Sequence, residues 1–123
     1  MRTAIVATAA FFLIAGAAAA APVTTVSTAK GDVLAGKNGM TLYTFKNDKK
    51  GVSNCNGGCA KNWPPLAAAD GDKADGPYSV IERKDGTYQW AKNGMPLYFW
   101  IKDAKKGDTT GDGVNGVWDI ARP

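Results

Sequence analysis

The chain has 123 residues, a net charge of +4 from 15 Lys/Arg against 11 Asp/Glu, and no histidine. That length makes one domain with a modest core, and the missing histidine removes Ser-His and Cys-His catalysis together with histidine-held zinc or haem. Charges alternate in sign (Lys46, Asp48, Lys49, Lys50; Arg83, Lys84, Asp85), so no basic stripe of the kind that tracks nucleic acid is present and no nucleic-acid partner is expected.

At the N-terminus, Arg2 precedes an apolar run containing Phe11, Phe12, Leu13 and Ile14, and Ala18-x-Ala20 follows as a small-residue site. This is the layout of an export signal over residues 1–20, cleaved near Ala20. The apolar run is short for a bilayer span, so no permanent membrane helix is expected. The protein is then periplasmic or secreted, a setting in which two cysteines favour a disulfide. Residues 21–30 read as an extended lead-in, and residues 31–123 as a single domain.

Within that domain, residues 31–35 are short enough for a strand. Lys37-Asn38-Gly39 supplies the Asn-Gly pair of a tight hairpin turn, and residues 40–46 return. Cys55 and Cys59 flank Asn56-Gly57-Gly58, whose glycines let the backbone fold tightly enough for a bridge. Residues 60–63 are the best short helix, stopped by Pro64-Pro65. Residues 67–77, with Asp70-Gly71-Asp72 and Asp75-Gly76, form a connector. Residues 78–83, 87–91 and 95–101 then read as a three-stranded meander, and residues 116–121 as a last strand.

The chain states this plan twice. Lys37-Asn38-Gly39-Met40-Thr41-Leu42-Tyr43 returns as Lys92-Asn93-Gly94-Met95-Pro96-Leu97-Tyr98, an offset of 55 (37 against 92) that holds without a gap from Gly31/Gly86 to Trp63/Trp118. A repeat identifies the structural unit. The expected fold is therefore all-β: a small antiparallel sheet domain of two pseudo-symmetric hairpin repeats, about residues 31–66 and 86–121, with glycine-rich loops. Side-chain period separates the two return strands. Tyr43 and Phe45 share one face opposite Leu42, Thr44 and Lys46, as in a half-exposed strand near an edge. Tyr98 and Trp100 oppose Leu97, Phe99 and Ile101, so both faces are apolar and a central place is expected.

The repeated kernel is Tyr43/Phe45/Asp48 and Tyr98/Trp100/Asp103. Aromatics two apart on a strand pack one face of a core, and an aspartate three residues on can fix a turn. Alternatively, the two tyrosines and two aspartates line a cleft that grips a ligand. Cys55 and Cys59 could instead serve, with Met40 or Met95, as a soft-metal (copper) or thiol redox carrier. Asp108, Thr110, Asp112 and Asp119 fall at positions one, three, five and twelve of a segment with Gly113 at six, echoing a calcium loop. Against this, position twelve is not Glu, and no helices flank the segment. No paired carboxylates, nucleophile elbow or phosphate loop is present, so no enzyme activity is assigned and no cofactor is expected beyond the calcium and copper alternatives.

The kernel, the upstream Gly-Met-x-Leu-Tyr and the stretch Cys55-x-x-x-Cys59-Ala60-Lys61-x-Trp63-Pro64-Pro65 together resemble a secreted-repeat family, described as predicted lipoproteins with a Yx(FWY)xxD motif. The resemblance runs from about Gly31 to the C-terminus. It implies an exported bacterial protein with this repeat layout and supplies no activity. A lipid-anchor cysteine is absent near Ala20, which points to a soluble form. The expectation is a non-enzymatic envelope-associated or ligand-binding module, its partner a small ligand or an envelope protein.

Overall fold

The structure, a computed structural model, describes residues 20–123; residues 1–19, which carry most of the expected export signal, lie outside the described residues. Eight short strands, one helical turn and a 3-10 turn are found among the described residues. Strands β1 (Val23–Thr28) and β2 (Gly31–Gly36) form an antiparallel hairpin with Val26 opposite Val33. The β-branched run Val23-Thr24-Thr25-Val26 suits a pleated strand, and β1 occupies the stretch that reads in sequence as an extended lead-in. Strand β3 (Tyr43–Phe45) follows, then α1 (Gly58–Asn62), which ends one residue before Trp63-Pro64-Pro65. Pro64 and Pro65 lack the N–H groups a helix would need. Strand β4 (Ala67–Ala68) closes the first copy, and the second copy contains β5 (Tyr78–Glu82), β6 (Tyr88–Lys92), β7 (Met95–Pro96) and β8 (Trp118–Ile120). In this sheet β6 lies between β4 and β5 and also pairs with β7. The all-β expectation holds.

The two copies exchange strands. Tyr43 N–H donates to the Tyr98 carbonyl (2.8 Å) and Tyr98 N–H donates to the Tyr43 carbonyl (3.0 Å). This reciprocal pair marks a pseudo-twofold axis. Strand β3 of the first copy pairs with β8 of the second, Tyr43 opposite Ile120. Tyr98 bridges Pro65, the residue 55 positions before Ile120, so the first copy returns the same contact. The expected contrast between a central second strand and an edge first strand is thereby corrected: both kernels sit on one axis. Ile101, read as core from the period, is 59% exposed. It stands where the first copy has Lys46, and its N–H bonds the Asn62 carbonyl as Lys46 N–H bonds that of Val117.

The gap-free alignment in sequence conceals two opposite one-residue shifts in structure. Ile81 lies 55 positions after Val26, yet it pairs with Gln89 rather than with Tyr88, the alignment partner of Val33. The β5–β6 connection thus holds one residue more than the β1–β2 turn. The next turn holds one fewer. Gly36 N–H reaches the Met40 carbonyl across Lys37-Asn38-Gly39, whereas Lys92 pairs with Met95 across Asn93-Gly94 alone. Asn93 (φ 49°) and Gly94 (φ 83°) are both left-handed, as a two-residue hairpin turn requires.

A slip of one residue moves side chains to the opposite face. Trp90 therefore takes the place of Leu34: Leu34 N–H bonds the Ala121 carbonyl and Leu42 N–H bonds that of Leu34, while Trp90 N–H bonds the Leu66 carbonyl and Leu97 N–H bonds that of Trp90. Leu34, Leu42, Leu66, Trp90 and Leu97 make one buried cluster, and the kernel aromatics make the other. Gln89 inherits the position of Val33 and brings a polar group into the interior.

Candidate functional site

Four aromatic rings stack across the axis. Phe45 lies on Trp118 (centroids 4.3 Å, 13° between planes), Trp118 on Trp63 (3.7 Å, 5°), and Trp63 on Trp100 (3.9 Å, 24°). The outer pair, Phe45 and Trp100, and the inner pair, Trp63 and Trp118, are each related by the offset of 55. Edge contacts follow the same symmetry: Tyr43 meets Trp63 at 5.5 Å and Tyr98 meets Trp118 at 5.2 Å. The T-shaped contacts are an arrangement that aromatic quadrupoles favour, and the close stacking buries large apolar ring faces. The aligned pair Trp63/Trp118 was the sequence signal for this column.

The kernel Tyr and Asp residues come together, but each tyrosine takes the aspartate of the other copy. Tyr43 Oη–H donates to Asp103 Oδ2 at 2.7 Å, and Tyr98 Oη–H donates to Asp48 Oδ2 at 2.6 Å. Both tyrosines are fully buried, and Asp48 and Asp103 are 7% and 8% exposed. Each aspartate also orders its own loop. Asn54 N–H bonds Asp48 Oδ1, while Thr110 N–H and Oγ1–H bond Asp103 Oδ1. Burial and the aspartate partners push both phenols well above the ordinary tyrosine range. Burial also raises the Asp48 carboxyl, against the lowering effect of its hydrogen bonds to Tyr98 and Asn54 and of the Arg83 charge.

Around the hydroxyls the copies differ. Gly111 N–H donates to Tyr43 Oη at 3.2 Å, and a Cβ at Gly111 would stand 2.8 Å from Tyr43 Cζ, so only glycine fits. On the other side, Tyr98 Oη contacts Ser53 Oγ at 2.6 Å, and Ser53 Oγ accepts from Arg83 Nη1 at 2.9 Å. Arg83 is buried. Its Nη1 also donates to Gln89 Oε1 and its Nη2 to the Cys55 carbonyl, both at 2.6 Å, and Gln89 Nε2 donates to the Leu97 carbonyl. A buried cation needs such acceptors and a nearby anion; Asp48 supplies the anion through Tyr98 and Ser53. Sequence reasoning missed Ser53, Arg83 and Gln89, because their meeting depends on the one-residue shift of β6.

Cys55 and Cys59 are joined as a disulfide with Cα atoms 5.2 Å apart. Cys55 is fully buried and Cys59 half-buried beside the aromatic cluster. The four calcium-loop candidates are engaged separately. Asp108 Oδ2 accepts from the N–H groups of Ala104 and Lys105, and Thr110 serves Asp103. Asp112 lies 3.3 Å from Lys30 Nζ, and Asp119 lies in β8, 3.9 Å from Lys46 Nζ. Among the described residues, no group of three or more acidic or cysteine side chains has metal-holding geometry.

A groove of ≈ 410 Å³ opens beside α1 and the β5–β6 turn. It is lined by Ala60 of α1, Pro65, Ala67 and Ala68 of β4, and Arg83, Asp85, Thr87 and Tyr88 around the β5–β6 turn. The walls are mostly apolar, and Asp85 at the turn is exposed. Hydrogen bonds from the Thr87 hydroxyl and N–H hold the Asp85 carboxyl below the usual carboxylate range. Among the described residues, no helix is long and apolar enough to cross a membrane.

The family described as a secreted repeat of unknown function matches residues 24–67 and again residues 79–122. The chain belongs to that family, and both matched stretches begin within the first strand of a hairpin, β1 or β5. No curated protein and no solved structure matches the chain.

Proposed function

We propose that this protein is an exported, non-enzymatic binding module of the bacterial envelope. One observation carries the reading: the polar groups of the duplicated motif are all engaged inside the fold, while a mostly apolar groove of ≈ 410 Å³ stays open at the surface. The volume lies within the range usual for small-molecule sites, which combine apolar walls with a few polar groups. The Tyr–Asp pairs then act as the frame, and the groove is the part free to meet a ligand. Export follows from the leader-like N-terminus and agrees with the family description.

The test is fractionation followed by native mass spectrometry. The expected result is a chain beginning at Ala21 in the periplasm or medium, carrying a small adduct that is released on unfolding. Retention of the whole chain in the cytoplasm would overturn the export reading. Adduct-free protein that also binds no member of a small-molecule set by thermal shift would overturn the binding reading.

A further inference from the structure

The groove has a twin position in the other half of the molecule, and there the Arg122 side chain lies over the hairpin turn. Leu66 and Ala121 are structural equivalents, since their carbonyls accept from Trp90 and Leu34 respectively. The next residues, Ala67 and Arg122, are therefore equivalents too. Arg122 runs over the β1–β2 turn, and its Nη1 donates to the Lys30 carbonyl at 2.7 Å and to the Asp32 carbonyl at 2.9 Å. At the groove, Ala67 stands in place of this arginine, and the longer turn Lys84-Asp85-Gly86, between Arg83 and Thr87, replaces Ala29-Lys30 between Thr28 and Gly31. The guanidinium is thus missing from the side where the turn gains a carboxylate.

We propose that the groove between α1, β4 and the β5–β6 turn binds a small organic cation, a guanidinium or primary amine on a short apolar chain, in the place the Arg122 side chain takes in the twin. The proposal rests on the binding-module reading and names its ligand class. The apolar chain lies along Ala60, Pro65, Ala67, Ala68 and Tyr88. The cationic head meets the Asp85 carboxylate at the turn, a charge-assisted contact stronger than a neutral hydrogen bond. Arg83 also lines the groove, but its Nη1 and Nη2 donate inward to Ser53, Gln89 and Cys55. It therefore closes the floor, and the surface charge offered to the ligand is that of Asp85.

The experiment is an amide NMR titration of the exported protein with agmatine, a guanidinium on a four-carbon amine, and in parallel with the neutral 1-pentanol. Agmatine is expected to give saturable shifts at Ala67, Ala68, Thr87 and Tyr88. The affinity should fall at least tenfold in Asp85→Asn, in which the turn-capping oxygen is kept. Binding should vanish in Ala67→Arg, which rebuilds the twin's arrangement. Ala67→Met provides a second way to fill the groove should Ala67→Arg fail to fold, and it should also abolish the shifts. Pentanol saturating the same amides as tightly as agmatine would overturn the cationic class and leave the binding reading standing. Agmatine shifts that survive both Ala67 variants would overturn the placement. Silence toward both probes would overturn the site and, with adduct-free native protein, the binding reading as well.

Discussion

Trp63 and Trp118 occupy equivalent places and pack alike, ring on ring across the axis. Thr28 and Arg83 also occupy equivalent places in sequence, yet Thr28 Oγ1 caps an exposed hairpin turn while Arg83 is buried in a chain of hydrogen bonds reaching Asp48. The difference shows where duplication constrains a protein. Rings at the axis pack on each other, so a change in one copy disturbs both. Residues at the hairpin turns meet partners that differ from one half to the other, Lys30 reaching Asp112 and Arg83 reaching Ser53 and the Cys55 carbonyl, and can diverge. The first copy gained a disulfide, the second gained a buried arginine and a displaced β6, and the groove opened where these lie side by side.

The symmetric interior is most directly challenged at the inner rings. Trp63→Ala and Trp118→Ala should each cost about 3–5 kcal/mol, measured by urea unfolding, and the two losses should agree within about 1 kcal/mol. A large loss at one and a trivial loss at the other would break the equivalence. Trp100→Ala, at the half-exposed end of the column, should cost clearly less.

Alkaline pH tests both tyrosines together. Their folded-state pKa values are raised, so above the ordinary phenol pKa of about 10 the folded chain holds protons that the unfolded chain has released. These two groups leave stability level below that pH and then lower it by up to about 2.7 kcal/mol per pH unit. Tyr43→Phe or Tyr98→Phe should each remove roughly half of this contribution, the smaller one from Tyr78, whose phenol is also raised by burial, remaining; an unchanged slope would mean that the phenol concerned ionises freely.

The strand exchange makes a sharper statement about pairs. A double-mutant cycle of Tyr98→Phe with Asp48→Asn should show a coupling of about 2 kcal/mol. The cycle of Tyr98→Phe with Asp103→Asn should be additive within about 0.5 kcal/mol. Coupling inside the kernel rather than across copies would reverse the assignment.

The disulfide is no larger an effect on global stability and is the most one-sided. Closing so short a loop stabilises by about 2 kcal/mol. Reduction should lower the unfolding midpoint accordingly. Amide exchange should accelerate around α1 and leave the Val114–Gly116 turn unaffected. Equal loosening of both would show that the two halves do not respond separately.

Much of this architecture was legible in the residues. Asn-Gly pairs, glycine-bounded strands and aromatics at every second position carry local conformational preferences, so the repeat, the all-β class and the Cys55–Cys59 bridge could be read one segment at a time. The kernel was legible as a pattern but not as a set of contacts. Tyr43 and Asp48 are near in the chain, and nothing local says that each partners the opposite copy. Ser53, Arg83 and Gln89 carried no signal, since a continuous offset in sequence cannot reveal that one turn lengthens while the next shortens. Local backbone chemistry determines which stretches become strands. Which strand lies against which, which face a side chain takes, and where a groove remains follow from packing two like halves around one axis, a many-body condition that short-range pattern does not contain.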